Sequence, residues 1–260
     1  MSQSSLTALS APSDNLARMA ACLVWISGAS SGIGQALART VPWEDARVIN
    51  ISRRAASGTE HLDADLVEPS AWPRVASSFR EEFEGFSGER VVFVHAAGTV
   101  QPIGFAGEVD TTAYSANVVL NSAVPQILGG LFLAAARKVD ARRHLIMLSS
   151  GAAHSVYPGW SSYGAGKAAV DQWCRNVGAE QSRRGGIQVL SVAPGTVDTG
   201  MQAQLRSTDE EDFPERRKFV DLHKANKLSD PDDIARKIWG VLERGLDNGS
   251  VVDLRELAGT

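Results

Sequence analysis

Only two cysteines, Cys22 and Cys174, occur in 260 residues, and they stand far apart in the chain. That excludes a disulfide scaffold and leads us to expect two buried thiols in a cytoplasmic protein. The five histidines show none of the paired spacing that metal ligands adopt, so no metal is expected. The 26 Lys and Arg are outnumbered by 30 Asp and Glu, and the basic residues are dispersed. A nucleic-acid partner, which needs clustered cations against phosphates, is therefore not expected. No run looks long or apolar enough to span a bilayer, so a membrane partner is not expected either. Residues 1–18, rich in Ser and Ala, lack the basic start and apolar core of a secretion signal. They read as a flexible N-terminal extension, with Met19 as an alternative start. No Pro/Gly/Ser linker interrupts the remainder of the chain, so residues 19–260 are expected to form one domain, whose 43% hydrophobic content can bury a large core.

What the chain does have is a series of short apolar runs rich in β-branched residues: 22–27, 47–52, 90–96, 144–150 and 187–194. Their near-continuous hydrophobicity suits strands covered on both faces. Longer stretches with helical spacing lie between them, such as Ile33, Leu37, Val41 and Val170, Trp173, Val177. Alternating strand and helix predicts an α/β fold, a doubly wound parallel sheet of Rossmann type with helices on both faces. A last run at 249–254 would add an edge strand.

The first strand runs into SGASSGIGQALA, with glycines at 28, 32 and 34. Glycine permits a tight turn and close backbone approach, and the N–H groups opening the next helix would face a pyrophosphate. Gly28, Ser30, Ser31, Gly32, Ile33 and Gly34 are thus candidate cofactor contacts. The same letters match G-x-S-x-G, in which Ser30 would be the nucleophile of an α/β-hydrolase. That reading needs an earlier strand to supply the oxyanion loop, and no earlier strand is recognisable.

At the end of the second strand an acidic residue would bind the ribose 2′-hydroxyl of NAD, whereas arginine would pair with the 2′-phosphate of NADP. The sequence there is Ile51-Ser52-Arg53-Arg54, which favours NADP(H) through Arg53 and Arg54. Asp65 and Leu66 are expected beside the adenine.

Tyr163 and Lys167, four residues apart, would share one helix face. A nearby ammonium stabilises a phenolate, so Lys167 is expected to lower the Tyr163 pKa and make it a useful acid. Ser150 closes the fourth strand, where ligands sit in such sheets, and would orient a carbonyl.

Together with HAAG (95–98), Asn117, LSSGAA (148–153), YGAGK (163–167) and APGTVDT (193–199), these motifs make residues 22–200 resemble a short-chain dehydrogenase/reductase. The resemblance implies Ser150 as carbonyl orienter, Tyr163 as general acid/base and Lys167 as the ribose-binding modulator. It further implies Asn117 at a helix kink that holds a proton-relaying water. Ala97 and Gly98 would lie against the cofactor, as would Pro194, Gly195, Val197 and Thr199. The family's Asn-Asn-Ala-Gly reads His95-Ala96-Ala97-Gly98 here, which puts the bracing of the central strands in question. Family members are commonly homodimers or homotetramers packed through the helices of Asn117 and Tyr163.

Residues 157–171, 198–206, 224–235 and 249–254 resemble benzil reductases and sepiapterin reductases within that family. The implied substrate is a small carbonyl compound, an aromatic vicinal diketone reduced to a hydroxy-ketone, with Tyr157, Trp160 and Met201 beside it. The alternative is a pterin side chain, anchored by Asp253. A nucleotide-binding protein with dead chemistry is a further alternative, disfavoured by the complete set Asn117, Ser150, Tyr163 and Lys167.

Overall fold

The computed structural model describes residues 21–257, so the proposed extension at 1–18 lies outside the described residues. One seven-stranded sheet runs through it. In chain order the strands are β1 (Cys22–Ser27), β2 (Ala46–Ser52), β3 (Glu60–Asp63), β4 (Arg90–His95), β5 (Arg142–Leu148), β6 (Gln188–Ala193) and β7 (Val251–Asp253). All pairings are parallel, in the order β3-β2-β1-β4-β5-β6-β7. This is the doubly wound sheet expected. The direction of strand succession reverses between β1 and β4, the place where such sheets open a crevice at their carboxyl ends.

Every residue of β1 and β4 is buried. Because successive side chains point to opposite faces, the continuous apolar runs feed two cores. Trp25, Phe93 and Met147 pack with Phe79 and Phe132 on one face. Ile26, Val94 and Leu148 pack with Leu37, Ile238 and Trp239 on the other. The helices covering the first face are α2 (Trp72–Phe83), α4 (Val124–Ala136) and α5 (Ser161–Ser182); α1 (Gly32–Arg39) and α8 (Pro231–Gly240) cover the second. Cys22 and Cys174 are free and buried, as expected.

Three features depart from the sequence expectation. β3 was not foreseen, because three of its four residues, Glu60, His61 and Asp63, are polar and it forms the exposed edge. Val41 lies beyond α1, which ends at Arg39 with Thr40 capping it. Helix α3 (Thr111–Val118), a π-helical turn at Val119–Ala123 and α4 join into one helix over Thr111–Ala136, long and apolar enough by length and composition to cross a membrane. The expectation that no such run exists is thereby corrected. In this fold the segment is a wall of the domain: Phe132 and Leu128 sit in the core, and Gly129 receives the indole of Trp173 from α5, where a Cβ would come 2.4 Å from the ring.

Beyond β6 the chain adds two short helices, α6 (Gly200–Ser207) and α7 (Arg216–Lys224), before α8. They stand over the carboxyl ends of β5 and β6. With Val100, Ile103 and Trp160 they enclose a third apolar cluster.

Candidate active site

Two connected hollows open along the carboxyl edge of the sheet. The larger, about 700 Å³, is the groove between the β1 turn, the β2 end and α3. It is lined by residues 28 and 30–34 of the glycine turn, by Arg53, Arg54, Asp65 and Leu66, and by Ala97, Gly98 and Asn117, so these expected cofactor contacts come together. The second, about 260 Å³, holds Ser150, Tyr157, Trp160, Tyr163, Lys167 and Met201, with Pro194, Gly195 and Val197 on one side. Thr199 and Met201 line both.

The glycine turn fits a dinucleotide on the protein's own geometry. Gly28 has φ +74°, and a Cβ there would lie 2.9 Å from the Ala97 backbone. A Cβ at Gly34 would meet the Gly28 carbonyl at 2.3 Å, so only glycine lets α1 start this close to β1. Ser31, the residue before α1, leaves the helix N–H groups without a side-chain cap, and no acidic residue competes in the first turn. Arg53 and Arg54 extend from the end of β2 beside the groove, and Arg53 is 3.8 Å from Asp65. Ser30 lines this groove and hydrogen-bonds no histidine among the described residues, and no strand precedes β1 there. A hydrolase triad is not assembled.

Ser150 and Tyr163 meet in the second hollow. Ser150 leaves β5 in extended conformation and caps a short turn, its Oγ accepting from the Ala152 N–H at 3.2 Å. Tyr163 is in the first turn of α5 and almost fully buried. Burial raises its phenol above the usual value, and the hydrogen bond with Ser150 pulls the other way. This corrects the expectation of a lowered value. The Lys167 ammonium lies 5.7 Å from the centre of the Tyr163 ring and is tied to the Leu148 carbonyl at 2.8 Å. Lys167 is itself buried, which pulls its pKa down to about 8; Asp171, one turn further along α5, opposes that fall. Asp171 in turn accepts from Ser191 Oγ at 2.6 Å and pairs with His154 Nε2 at 3.0 Å.

The helix distortion expected at Asn117 occupies 119–123 instead, around Asn121. Asn117 sits in regular α3, where its amide donates to the carbonyls of Gln101 (2.7 Å) and Thr99 (3.3 Å). Asn121 donates to Asn117 Oδ1 (2.9 Å) and Thr99 O (2.7 Å), and accepts from the Thr99 N–H. It also fills the space of two missing side chains: a Cβ at Gly98 would touch its Oδ1 at 2.9 Å, and one at Gly166 its Cβ at 2.9 Å. Asn121 therefore stands between the cofactor groove and the Tyr163–Lys167 helix. A second Asn four residues after the first was the available sequence signal.

His95 answers the question of bracing. Its Nδ1 is 2.9 Å from Ser27 Oγ, which accepts from the N–H groups of Ala96 and Ala97. The ends of β1 and β4 are thus tied by a histidine where the family has an amide. Burial, then the charge of Lys167, drives its pKa down to about 3, so the ring stays neutral.

On the substrate side Trp160 is 94% buried, within ring-stacking distance of Phe213 (4.7 Å), Tyr157 (5.2 Å), Tyr163 (5.2 Å) and Phe219 (5.6 Å). Phe213, Lys218 and Phe219 were missed in the sequence because they lie in a strongly charged stretch outside every motif. Asp253 is placed differently from expectation. Its carboxylate is gripped by Arg255 through Nε (2.9 Å) and Nη2 (2.5 Å), and the arginine, not the aspartate, lines the hollow. No cluster of metal-ligating side chains occurs among the described residues.

A parallel sheet with a glycine turn at its switch point, and a Ser-Tyr-Lys set beside it, define a nicotinamide-dependent oxidoreductase. The family model for short chain dehydrogenase matches residues 23–210, and the chain belongs to the short-chain dehydrogenase/reductase family. It is 30% identical to a benzil reductase ((S)-benzoin forming) of Bacillus subtilis, covering 89% of this chain and 97% of that protein. It is 27% identical to the sepiapterin reductase of Rattus norvegicus, over 92% and 98% respectively. The fold is also that of YIR035C, a short chain dehydrogenase/reductase of Saccharomyces cerevisiae, with a TM-score of 0.77 at 22% identity over 89% and 95% of the chains.

Proposed function

We propose that the protein reduces one carbonyl of an aromatic vicinal diketone with NADPH, giving a chiral hydroxy-ketone. The observation that carries this reading is the convergence of Ser150, Tyr163 and Lys167 on a small aromatic-walled hollow continuous with the glycine-turn groove. The similarity to benzil reductases supports the choice of substrate. Arg53 and Arg54, with no carboxylate at the β2 end, support NADPH over NADH.

When bound, the reduced nicotinamide supplies the hydride. The Ser150 and Tyr163 hydroxyls hold the carbonyl oxygen by hydrogen bonds and so fix which face is exposed. Tyr163, kept protonated by burial, gives its proton to that oxygen as negative charge develops there. The charged Lys167 stabilises the phenolate left behind, and Asp171 keeps that charge in place. Asn121 takes the kink-and-relay role expected of Asn117. Trp160, Tyr157 and Met201 receive the flat part of the substrate.

A pterin substrate remains the second reading, favoured by the similarity to sepiapterin reductases. It loses its anchor, because the Asp253 carboxylate is occupied by Arg255. The protein would act in the cytoplasm as a homodimer or homotetramer. NADPH oxidation measured with benzil, with sepiapterin and with simple monoketones tests the proposal. Preferential turnover of benzil is expected; turnover of sepiapterin alone would replace the diketone by the pterin, and turnover of none would sink the reading.

A further inference from the structure

The hollow that holds Ser150 and Tyr163 has aromatic walls, but its lining also carries two cations, Lys218 and Arg255, that the proposed neutral diketone does not engage. Lys218 on α7 and Arg255 just after β7 both line it, whereas no Asp or Glu among the described residues does. Lys218 Nζ donates to the Tyr157 hydroxyl at 2.8 Å and makes no ion pair among the described residues. Arg255 lines the same hollow as Tyr157 and Lys218. Its position is fixed. Asp253 holds Nε and Nη2, and the side chain lies over two backbone loops: a Cβ at Gly151 would be 3.4 Å from Nη2, and one at Gly195 3.3 Å from Cγ. The remaining guanidinium N–H groups are left for a ligand.

From this arrangement we infer that the natural substrate bears an acidic group, a carboxylate, on the side of its aromatic body away from the reacting carbonyl, and that Lys218 and Arg255 bind it. The inference rests on the carbonyl-reductase reading above and adds the substrate's charge. Two oxygens of a carboxylate can engage an ammonium and a guanidinium that line one hollow. In a protein of net charge −4, Lys218, which has no acidic partner among the described residues, also favours an anion at this hollow, while Arg255, already paired with Asp253, contributes its remaining donors. The device is opposite in sign to an aspartate anchor for a pterin.

The test compares kcat/KM for benzil and for benzil-4-carboxylate with NADPH, in the unsubstituted protein and in Lys218→Met, Arg255→Met and the double variant. Two partly exposed charge contacts predict about a tenfold preference for the carboxylate, carried mainly by KM. In the double variant the ratio of the two substrates falls towards one, and high salt weakens the preference in the unsubstituted protein. Equal kcat/KM for both compounds, or a preference that survives the double substitution, overturns the inference while leaving the reductase reading intact. A lack of turnover with benzil and its carboxylate alike counts against the reductase reading. The charge proposal is then decided by calorimetric binding of biphenyl-4-carboxylate against biphenyl-4-carboxamide: tighter binding of the acid that Lys218→Met weakens supports it, and equal binding overturns it. Lys218 is exposed and, among the described residues, hydrogen-bonds only the Tyr157 hydroxyl while lying over the Tyr157 and Phe219 rings, so its substitution keeps the test independent of the Asp253–Arg255 pair that shapes the C-terminal turn.

Discussion

In the proposed mechanism Lys167 is the group expected to set the pH dependence. Burial lowers its pKa from the ordinary 10.5 to about 8, so the residue changes charge inside the working range. The charged form is the one that supports Tyr163, and kcat/KM reports the free enzyme, so the reduction rate is expected to fall as pH rises through about 8. A kcat/KM profile that stays flat two units further would show that Lys167 is not the controlling group. The stability effect has the opposite sign. Between about 8 and 10.5 the folded protein holds fewer protons at Lys167 than the unfolded chain, so this residue's contribution to stability rises with pH across that window. His95, held neutral in the folded protein down to about 3, adds nothing to the rate effect near neutrality, but because the unfolded ring protonates around 6.5 its burial lowers stability as pH falls through that value. At the other end of the groove, Arg53→Asp is expected to weaken NADPH by at least about tenfold and NADH far less, since a phosphate loses a charged partner and a hydroxyl gains an acceptor. Titration of both nucleotides by fluorescence reads this, and equal losses would contradict the NADPH assignment.

Among the elements, the contact between α4 and α5 fixes where the catalytic helix lies. Gly129 on α4 exists to receive Trp173 of α5, and Gly166 of α5 to receive Asn121. Gly129→Val would place methyl groups where the indole and Met147 already are. Overpacking of this kind costs about 1–3 kcal/mol. Thermal unfolding should therefore begin several degrees lower, and adding Trp173→Leu should recover part of the loss; an unchanged melting curve in the single variant would refute the packing assignment. Asn117 and Asn121 separate by the same logic. Asn121→Ala opens the junction between groove and helix and should depress kcat by about two orders of magnitude with modest change in cofactor affinity. Asn117→Ala removes amide bonds to the Thr99–Gln101 loop and should act mainly on stability and KM for cofactor. The reverse pattern would return the relay role to Asn117. Sequence spacing could not decide between the two, because the deviation from regular helix that selects Asn121 comes from tertiary contacts with Thr99, Gly98 and Gly166.

For the molecule as a whole, legibility followed burial. The five apolar runs became central strands because both faces of each are covered, and a continuous hydrophobic run can mean little else at that length. The glycine turn, Ser150, Tyr163 and Lys167 were readable because a backbone turn and a helical i,i+4 pair are local events. β3 was hidden by its polar edge residues. Lys218, Phe219 and Arg255 were hidden because they reach the hollow only through the packing of α7 and the C-terminal turn, which no local pattern encodes. Asp253 misled for the same reason: its neighbour two residues on, Arg255, claims the carboxylate in three dimensions. The raised Tyr163 pKa came from burial that a sequence does not display. In the proposed reaction Tyr163 delivers the proton to a carbonyl held by Ser150. Tyr163→Phe removes one oxygen from a buried ring, and its effect is read by NADPH-dependent benzil reduction alongside NADPH binding. Turnover is expected to fall by at least about a thousandfold with cofactor binding retained; turnover within a few-fold of the unsubstituted protein would remove Tyr163 from the role of proton donor.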